Sequence, residues 1–296
     1  MKFLIIIPAH NEEKNILYCL KSLENQTYKD FKVVVVNDGS TDKTQRKAEM
    51  FVTEPLSQSP FIIYNLAESE HEPGAKVVRT FNKGLELQSL ESFDIICKFD
   101  ADVIFPENYL EEVAKVYQEN PKAGMVSGLV RIKKSVLDYS LAFDFDEEKS
   151  KWKFENISSP QHVRGPIKSY RKECFLAMNG LRPVLGWDNI DSMLAKMHGY
   201  EVVTIKNLWV KHIRPTAYKY KNQKAEKLGA YFYNIGLNTP LTLISAMKVA
   251  MKDHSFYEFR TIMKSFFSQT QERSLTKEEI AFIRKLRWKE MLHKIF

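Results

Sequence analysis

Two carboxylates one residue apart, Asp100 and Asp102, follow an apolar run at residues 95–97. The run predicts a buried strand, which places both acids at its carboxyl end. Neighbouring anions repel unless a positive charge lies between them, and Mg²⁺ and Mn²⁺ prefer carboxylate and phosphate oxygens. The pair therefore indicates either a metal and diphosphate site or a solvated strand-to-turn junction, where Asp is common.

A second polar cluster, Asn-Asp-Gly-Ser-Thr-Asp at residues 37–42, follows four valines and precedes a predicted helix. Gly39 permits a tight turn, and any of the next three residues can cap the helix. The turn does not require Asp38, whose carboxylate is able to accept a hydrogen bond from a nucleotide base. This cluster indicates either a capped turn or part of a nucleotide site.

The elements that carry these clusters alternate between strand and helix. The predicted strands are 3–7, 31–36, 61–64, 93–99, 124–132 and 201–205, and the predicted helices are 12–23, 41–52, 75–90, 107–118, 169–178 and 188–198. Such alternation predicts βαβ units and a parallel sheet, whose ligands bind beyond the carboxyl ends of the strands. Residues 138–163 lack a clear period and are expected to form a loop-rich wall of the active site.

Composition indicates a globular protein of one large domain, alone or with an appendage: 296 residues, 44% hydrophobic and 27% charged. The three cysteines, Cys19, Cys97 and Cys174, lie too far apart in sequence for a zinc motif, which favours buried thiols in a reducing compartment. The apolar run at residues 4–7 is too short for a secretory signal, so we expect a cytoplasmic protein.

Taken together, residues 7–13 (Ile-Pro-Ala-His-Asn-Glu-Glu), 36–42 and 99–102 closely resemble the nucleotide-sugar half of GT-A family 2 glycosyltransferases in identity, order and spacing. The resemblance covers about residues 1–215. It implies an α/β fold, with a mostly parallel, Rossmann-like central sheet flanked by helices. It also implies an inverting transferase that uses a UDP- or GDP-sugar with Mn²⁺ or Mg²⁺.

The resemblance also assigns roles to individual residues. The implied donor-nucleotide contacts are Pro8, His10, Glu12, Asp38, Lys76, Arg79 and Asp100. The implied metal ligands are Asp102 and His212, with Asp100 as a further candidate for the metal. Arg214 is expected to neutralise the leaving diphosphate or to form a surface ion pair, and Lys76 and Arg79 equally suit a solvated helix face.

Inverting transfer requires a carboxylate that deprotonates the acceptor hydroxyl. The family usually supplies it as Glu-Asp, with a glycine eleven residues after the Asp. Asp188 takes that position here relative to Gly199, and Trp187 replaces the Glu. Trp187 either stacks on a sugar or polyprenyl chain or packs as a core aromatic. Asp191, one turn further on, is a reserve base or a first-turn acid that stabilises the helix dipole.

The predicted organisation is a catalytic domain at 1–215, with a donor half at 1–105 and an acceptor half at 106–215, and a basic helical extension at 216–296. From Lys211 onward, 17 Lys and Arg oppose 7 Asp and Glu, which predicts an anionic partner. The uncharged segment 229–247 is too polar for a confident membrane span, but its aromatic residues suit a membrane interface. The apolar stripe at 256–267 either packs on the domain or contributes to peripheral contact with an anionic membrane, which would fit a glycan or polyprenyl-linked acceptor.

Two other functions fit the sequence less well. A nucleotidyltransferase usually carries a glycine-rich, basic phosphate loop early in the chain, whereas residues 8–13 are acidic and contain no glycine. A nucleic-acid-binding protein would explain the basic C-terminal segment but not the three carboxylate clusters, and helix-turn-helix and zinc-finger spacings are absent from the sequence. We therefore expect no nucleic-acid partner.

Overall fold

The computed structural model describes residues 1–52, 60–67, 74–134, 145, 151–155, 162–214 and 223–292. Within these residues, nine strands form one sheet in the order β3-β2-β1-β4-β8-β6-β9-β5, with β7 beside β6. The strands are β1 Phe3–Ala9, β2 Phe31–Asp38, β3 Phe61–Leu66, β4 Ile95–Phe99, β5 Val103–Ile104, β6 Ala123–Lys133, β7 Trp152–Phe154, β8 Ile167–Arg171 and β9 Glu201–His212.

Helices cover both faces of this sheet. They are α1 Ile16–Glu24, α2 Thr44–Phe51, α3 Ala75–Glu86, α4 Tyr109–Glu119, α5 Lys172–Ala177, α6 Trp187–Met197, α7 Lys224–Asn234, α8 Thr239–Lys252, α9 Phe256–Phe267 and α10 Lys277–Leu292. The predicted α/β sheet flanked by helices, with further helices at the C-terminus, is confirmed. The irregular wall predicted at 138–163 lies largely outside the described residues.

The N-terminal half of the sheet is parallel, as the alternation of strands and helices predicts. β1 lies between β2 and β4 and pairs in parallel with both, and β3 continues the sheet beside β2. Alternate side chains of β1 enter opposite faces: Ile5 joins one hydrophobic cluster with α1 and α4, and Ile6 joins the other with α3 and α6. Burial on both faces explains the nearly continuous apolar runs of these strands.

The second half of the sheet corrects one sequence-based prediction. We expect a helix at 169–178, but residues 169–171 belong to β8, and the helix α5 begins only at Lys172. β8 pairs antiparallel with both β4 and β6, so ladder hydrogen bonds on two sides outweigh local helix preference. The short strands β5 and β7 also depend on distant partners, and local periodicity does not reveal them.

The C-terminal helices share a hydrophobic cluster with the sheet. Phe232 of α7 and Leu241 of α8 belong to the same buried cluster as Val78 of α3 and Trp187 of α6. The predicted boundary at residue 215 falls in a segment outside the described residues, so the division into domain and extension stays a prediction. Among the helices of the described ranges, none combines the length and apolar character needed to cross a bilayer.

Gly84 provides a test of how closely α3 packs on the sheet. A Cβ atom at this position would lie 2.6 Å from Val36 Cγ2 and 2.8 Å from Ile6 Cγ2. Gly84→Ala is therefore expected to lower the free energy of unfolding by about 1–3 kcal/mol, measured by urea denaturation. An alanine at an open helical position would instead raise it by about 1 kcal/mol, so a stabilised variant would contradict the close packing.

Candidate active site

Strand register brings the predicted metal ligands together. Asp102 immediately precedes β5, and β5 pairs with the end of β9 so that Val103 lies opposite His212. The Ile213 amide donates a hydrogen bond to the Asp102 carbonyl oxygen at 3.0 Å, which fixes the same alignment. Two residues 110 positions apart in the chain thus become neighbours at the carboxyl edge of the sheet.

Asp100, Asp102 and His212 form a cluster with the chemistry of a divalent-metal site. Each offers one ligand atom, and these atoms lie within 4.8 Å of one another. His212 Nε2 is 3.5 Å from Asp102 Oδ1, and both side chains are buried. Within the described structure, the buried Nδ1 atom of His212 has no hydrogen-bond partner, and it lies 3.5 Å from Glu155 Oε2. Two carboxylates and an imidazole backed by a carboxylate suit Mn²⁺ or Mg²⁺.

Arg214 and Glu12 extend this cluster. Arg214 Nε lies 3.2 Å from Asp102 Oδ2, and the same guanidinium forms an ion pair with Glu12. The Arg214 side chain is 45% exposed, whereas both of its acidic partners are buried. The partly exposed guanidinium of Arg214 therefore connects the 8–13 cluster to the 100–102 cluster.

Two further cations flank the same acids. Lys98 forms an ion pair with Asp100, and Arg164 Nη2 lies 2.9 Å from Glu155 Oε2. Three of these four side chains are buried: Lys98, Arg164 and Glu155. Because water does not reach them, the charge of each is balanced by its partner in the protein. A buried charge without a partner would cost several kcal/mol, in order of magnitude, which explains why acids and bases occur here in matched numbers.

This arrangement of charges shifts the pKa values of the buried groups. Burial alone would raise the pKa of Asp102, but His212 and Arg214 hold that pKa below its usual value. Burial alone would lower the pKa of His212, but Asp102 and Glu155 raise it to about 10. Burial, together with the charge of Asp102, raises the pKa of Glu12 to about 7. Asp102 is therefore anionic, as a hard cation requires of a ligand, and a metal ion bound here would replace the proton that these acids hold on His212.

The second polar cluster lies at the end of β2, which β1 separates from β4. The buried Asp38 carboxylate accepts a hydrogen bond from Thr80 Oγ1 at 2.8 Å, and Lys76 Nζ lies 3.7 Å from the same oxygen. His10 Nδ1 lies 2.7 Å from the Asp38 carbonyl oxygen, so the ring nitrogen donates to it. The first turns of α3 thus hold Asp38 beside the 8–13 cluster.

The remaining donor-side predictions lie on the same elements. Pro8 is half-buried near the carboxyl end of β1, opposite Val36 of β2. Arg79 is half-buried on α3, three residues after Lys76. All the predicted donor contacts therefore lie on β1, β2, β4, α3 or the segments that follow these strands.

Helix α6 carries the two acids considered for the base, in different environments. Lys168 Nζ lies 2.7 Å from both carboxylate oxygens of Asp191, and Tyr170 OH donates to Asp191 Oδ2 at 2.6 Å. Asp191 is buried, whereas Asp188 is half-buried in the first helical turn. The occupied oxygens of Asp191 indicate a structural role, and Asp188 has the better access for a substrate.

Trp187 is buried beside two lysines. Lys98 and Lys168 lie directly opposite each other on β4 and β8, and their Nζ atoms are 5.0 and 5.3 Å from the Trp187 ring centroid. An aromatic face attracts cations and so offsets part of the repulsion between the two ammonium groups. With only 7% of its surface exposed, Trp187 fits the core-packing alternative better than stacking on a substrate.

The C-terminal helices hold the loop that leads into α6. Gly186 has a φ of 96°, and a Cβ there would lie 2.4 Å from Tyr231 Cδ2 of α7. Asn234 of α7 donates its side-chain amide to the Leu185 carbonyl at 3.1 Å. Arg182 Nη2, in the same loop, lies 2.9 Å from Glu279 Oε1 of α10. The position of Asp188 therefore depends on residues far beyond the sheet.

The sequence comparison fits this arrangement. The profile of Glycosyl transferase family 2 matches residues 4–175, which is more than half of the chain. The chain belongs to this family. The resemblance based on the three polar clusters is thereby confirmed at the level of the family.

Curated proteins similar to this family 2 chain are matched over part of their length. Amylovoran biosynthesis glycosyltransferase AmsB of Erwinia amylovora is 32% identical over 112 residues, 38% of this chain and 34% of that protein. Glycosyltransferase GlyG of Streptococcus pneumoniae serotype 4 is 25% identical over 115 residues, 39% of this chain and 35% of that protein. The chain matches about a third of the length of these relatives.

Solved structures share the fold over nearly the whole chain. Mannosyltransferase PcManGT from Pyrobaculum calidifontis, in complex with GDP-Man and Mn²⁺, has a TM-score of 0.58 at 17% identity, covering 100% of this chain and 81% of its own. S. aureus TarS 1-349 in complex with UDP-GlcNAc has a TM-score of 0.55 at 17% identity, covering 98% and 79%. These likenesses confirm the predicted GT-A fold.

Several residues of this family 2 site escaped the sequence analysis. Lys98 and Lys168 interrupt strands that are otherwise buried, and a lysine at such a position signals an acidic partner in the fold. Glu155 and Arg164 lie in or next to the segment without periodicity, where the sequence offers no comparable signal. Thr80 gives no signal in the sequence, because only the fold brings its hydroxyl within hydrogen-bond distance of Asp38.

The two acids of α6 are distinguished by their effects on stability. Asp191→Asn leaves the buried Lys168 without its counter-charge, so we expect the free energy of unfolding to fall by about 3–5 kcal/mol. Asp188→Asn, at a half-buried position, is expected to change it by less than about 1 kcal/mol. Urea denaturation measures both, and replacing the pair together, Lys168→Met with Asp191→Leu, is expected to recover much of the loss. Equal effects of the two single variants would contradict the structural role of Asp191.

Proposed function

We propose that this protein is an inverting glycosyltransferase that moves a sugar from a UDP- or GDP-sugar to a glycan or lipid-linked acceptor. The observation that carries the proposal is the cluster of Asp100, Asp102 and His212 at the carboxyl edge of the sheet, with Asp38 at the end of β2, which runs parallel to β4 with β1 between them. In the fold neighbours, GDP-Man with Mn²⁺ or UDP-GlcNAc is bound. A nucleoside-diphosphate sugar fits both clusters at once.

On the donor side, Asp38 would accept a hydrogen bond from the nucleotide base, and Asp102 and His212, with Asp100, would hold Mn²⁺ or Mg²⁺. Such a metal offsets the charge of a leaving diphosphate. Arg214 lies beside Asp102 with one side open, so its guanidinium would add positive charge at the same place. Lys76 and Arg79 on α3 complete the proposed donor contacts.

On the acceptor side, Asp188 would act as the general base. Its carboxylate takes the proton of the acceptor hydroxyl while that oxygen forms a bond to the anomeric carbon. The bond from that carbon to the diphosphate oxygen breaks on the opposite face, and the configuration inverts. Lys168 holds this part of α6 through the Asp188 carbonyl oxygen at 2.5 Å and through Asp191. The acceptor would bind beside Asp188, whose helix begins at the loop that α7 and α10 hold in place.

Donor binding has a direct test in thermal unfolding of the full chain. UDP or GDP with Mn²⁺ is expected to raise the melting temperature, because a ligand at about 100 times its Kd stabilises the folded state by about 2.7 kcal/mol. The same nucleotide without metal is expected to give a smaller shift, and a DNA oligonucleotide none. Stabilisation by the oligonucleotide alone would contradict the proposal, as would the absence of any shift with either nucleotide.

The role of Asp188 is tested by turnover with the donor that such a screen selects. Asp188→Asn is expected to lower kcat by about 10²–10⁴-fold, because the amide cannot accept the hydroxyl proton. Donor binding by the variant, measured by the same metal-dependent thermal shift, is expected to match that of the wild type. Asp30→Asn serves as the matched control, because Asp30 is an exposed acid immediately before β2. Near-normal turnover of Asp188→Asn would place the base elsewhere.

A further inference from the structure

The C-terminal helices expose an unusual share of the apolar surface. Of the twelve large hydrophobic side chains most exposed in the described structure, eight lie between residues 223 and 292. Five of these eight lie along α8 or in the first two residues of α9. We call them the α8–α9 corner: Leu243, Met247, Met251, Phe256 and Tyr257, exposed by 41%, 49%, 68%, 71% and 77%.

The corner forms one continuous strip along the chain. Leu243, Met247 and Met251 are spaced four residues apart, so they lie on one face of α8 over a length of about 12 Å. The chain then turns at residues 253–255, and Phe256 stacks on Phe259 with ring centroids 5.7 Å apart. The opposite face of α8, which includes Leu241 and Ala246, is buried in the protein.

Basic side chains border this apolar strip. Lys248, Lys252 and Arg260 are exposed on the same two helices. The acids nearby are fewer than these cations, because Asp253 forms an ion pair with Lys224, which leaves Glu258 against Lys248, Lys252 and Arg260. The corner therefore combines exposed apolar side chains with a net positive rim.

We propose that the α8–α9 corner is a docking surface for an anionic lipid bilayer. Apolar side chains that enter the interface, with lysines directed at anionic headgroups, are the pattern of a peripheral membrane contact. A second copy of this chain fits less well, because two positive rims would face each other. The surface belongs to helices outside the proposed catalytic cluster, so the lipid contact does not depend on the proposed transferase activity.

The structure moves this contact away from the aromatic residues of segment 229–247 that the sequence favoured, to the outward side of α8 and the start of α9. In the uncharged segment 229–247, Phe232 is buried and Tyr231 packs against Gly186, so these aromatic residues are occupied within the protein. In the stripe at 256–267, Ile262 and Phe266 are buried as well. Of the exposed large apolar side chains in these two segments, all but Phe267 lie on the outward face of α8 or at the start of α9.

The proposal is tested by co-sedimentation of the full chain with vesicles of phosphatidylcholine alone or mixed with phosphatidylglycerol. Binding is expected with the anionic vesicles only, and it is expected to weaken as salt rises. Lys248→Gln with Lys252→Gln should lower the partition coefficient about 25-fold, at about fivefold per basic residue. Met247→Gln with Met251→Gln should also lower it, without changing the melting temperature, because both side chains are already exposed.

The matched controls replace exposed methionine and lysine side chains outside the α8–α9 corner. Met50→Gln changes a methionine that is 60% exposed on α2, and Lys83→Gln with Lys122→Gln removes two exposed charges from outside the corner. These controls are expected to bind vesicles like the wild type. Equal loss in the controls, equal binding to neutral vesicles, or no binding to anionic vesicles would overturn the proposal. A dimer in solution that the Met247 and Met251 changes dissociate, without vesicle binding, would overturn it in favour of an interface between copies.

Discussion

The site is organised by the need to balance buried carboxylates at one edge of the sheet. Glu12, Asp100, Asp102 and Glu155 come from three different segments, all but Asp100 are buried, and each lies beside a basic side chain. Removing a carboxylate from water is costly unless an opposite charge replaces the lost hydration. The partners come from β4, from the end of β9 and the segment after it, and from the segment before β8. The strand order that places β8 beside β4, and β9 beside β5, is therefore also the order that neutralises this edge.

The same constraint connects the proposed donor and acceptor sides. Lys98 pairs with Asp100 on the donor side, and Lys168, opposite it in the β4–β8 register, pairs with Asp191 on α6. The Trp187 ring lies near both ammonium groups. A tryptophan at the position where the family usually has Glu therefore has a structural explanation in this chain. Because the carbonyl of Asp188 accepts from Lys168, the same network orients the first turn of α6.

The sequence predicted those parts of the structure that depend on local patterns. Apolar runs and helical spacing located the first four strands, and the polar clusters after them located the edge where Asp38 and Asp102 lie. Features that depend on pairing between distant segments cannot be predicted from local patterns. Residues 169–171 of β8 fit a helical pattern in the sequence, because the partners of β8, β4 and β6, lie far away in the chain. The contact of Tyr231 with Gly186 was missed for the same reason, since a tyrosine in an uncharged segment suits a membrane interface equally well. Lysines inside buried strands, such as Lys98, were the one unused signal.

In the proposed function, Asp102 and His212 form a divalent-metal site that a nucleoside diphosphate completes. Electron paramagnetic resonance of Mn²⁺ measures this most directly, because the signal of the free aqueous ion falls when the ion is bound. With the full chain and UDP or GDP, we expect the free signal to fall by one ion per protein molecule. We also expect the free signal to return in Asp102→Asn and His212→Gln but not in Asp30→Asn. A loss of signal that is the same in all three variants would contradict the account.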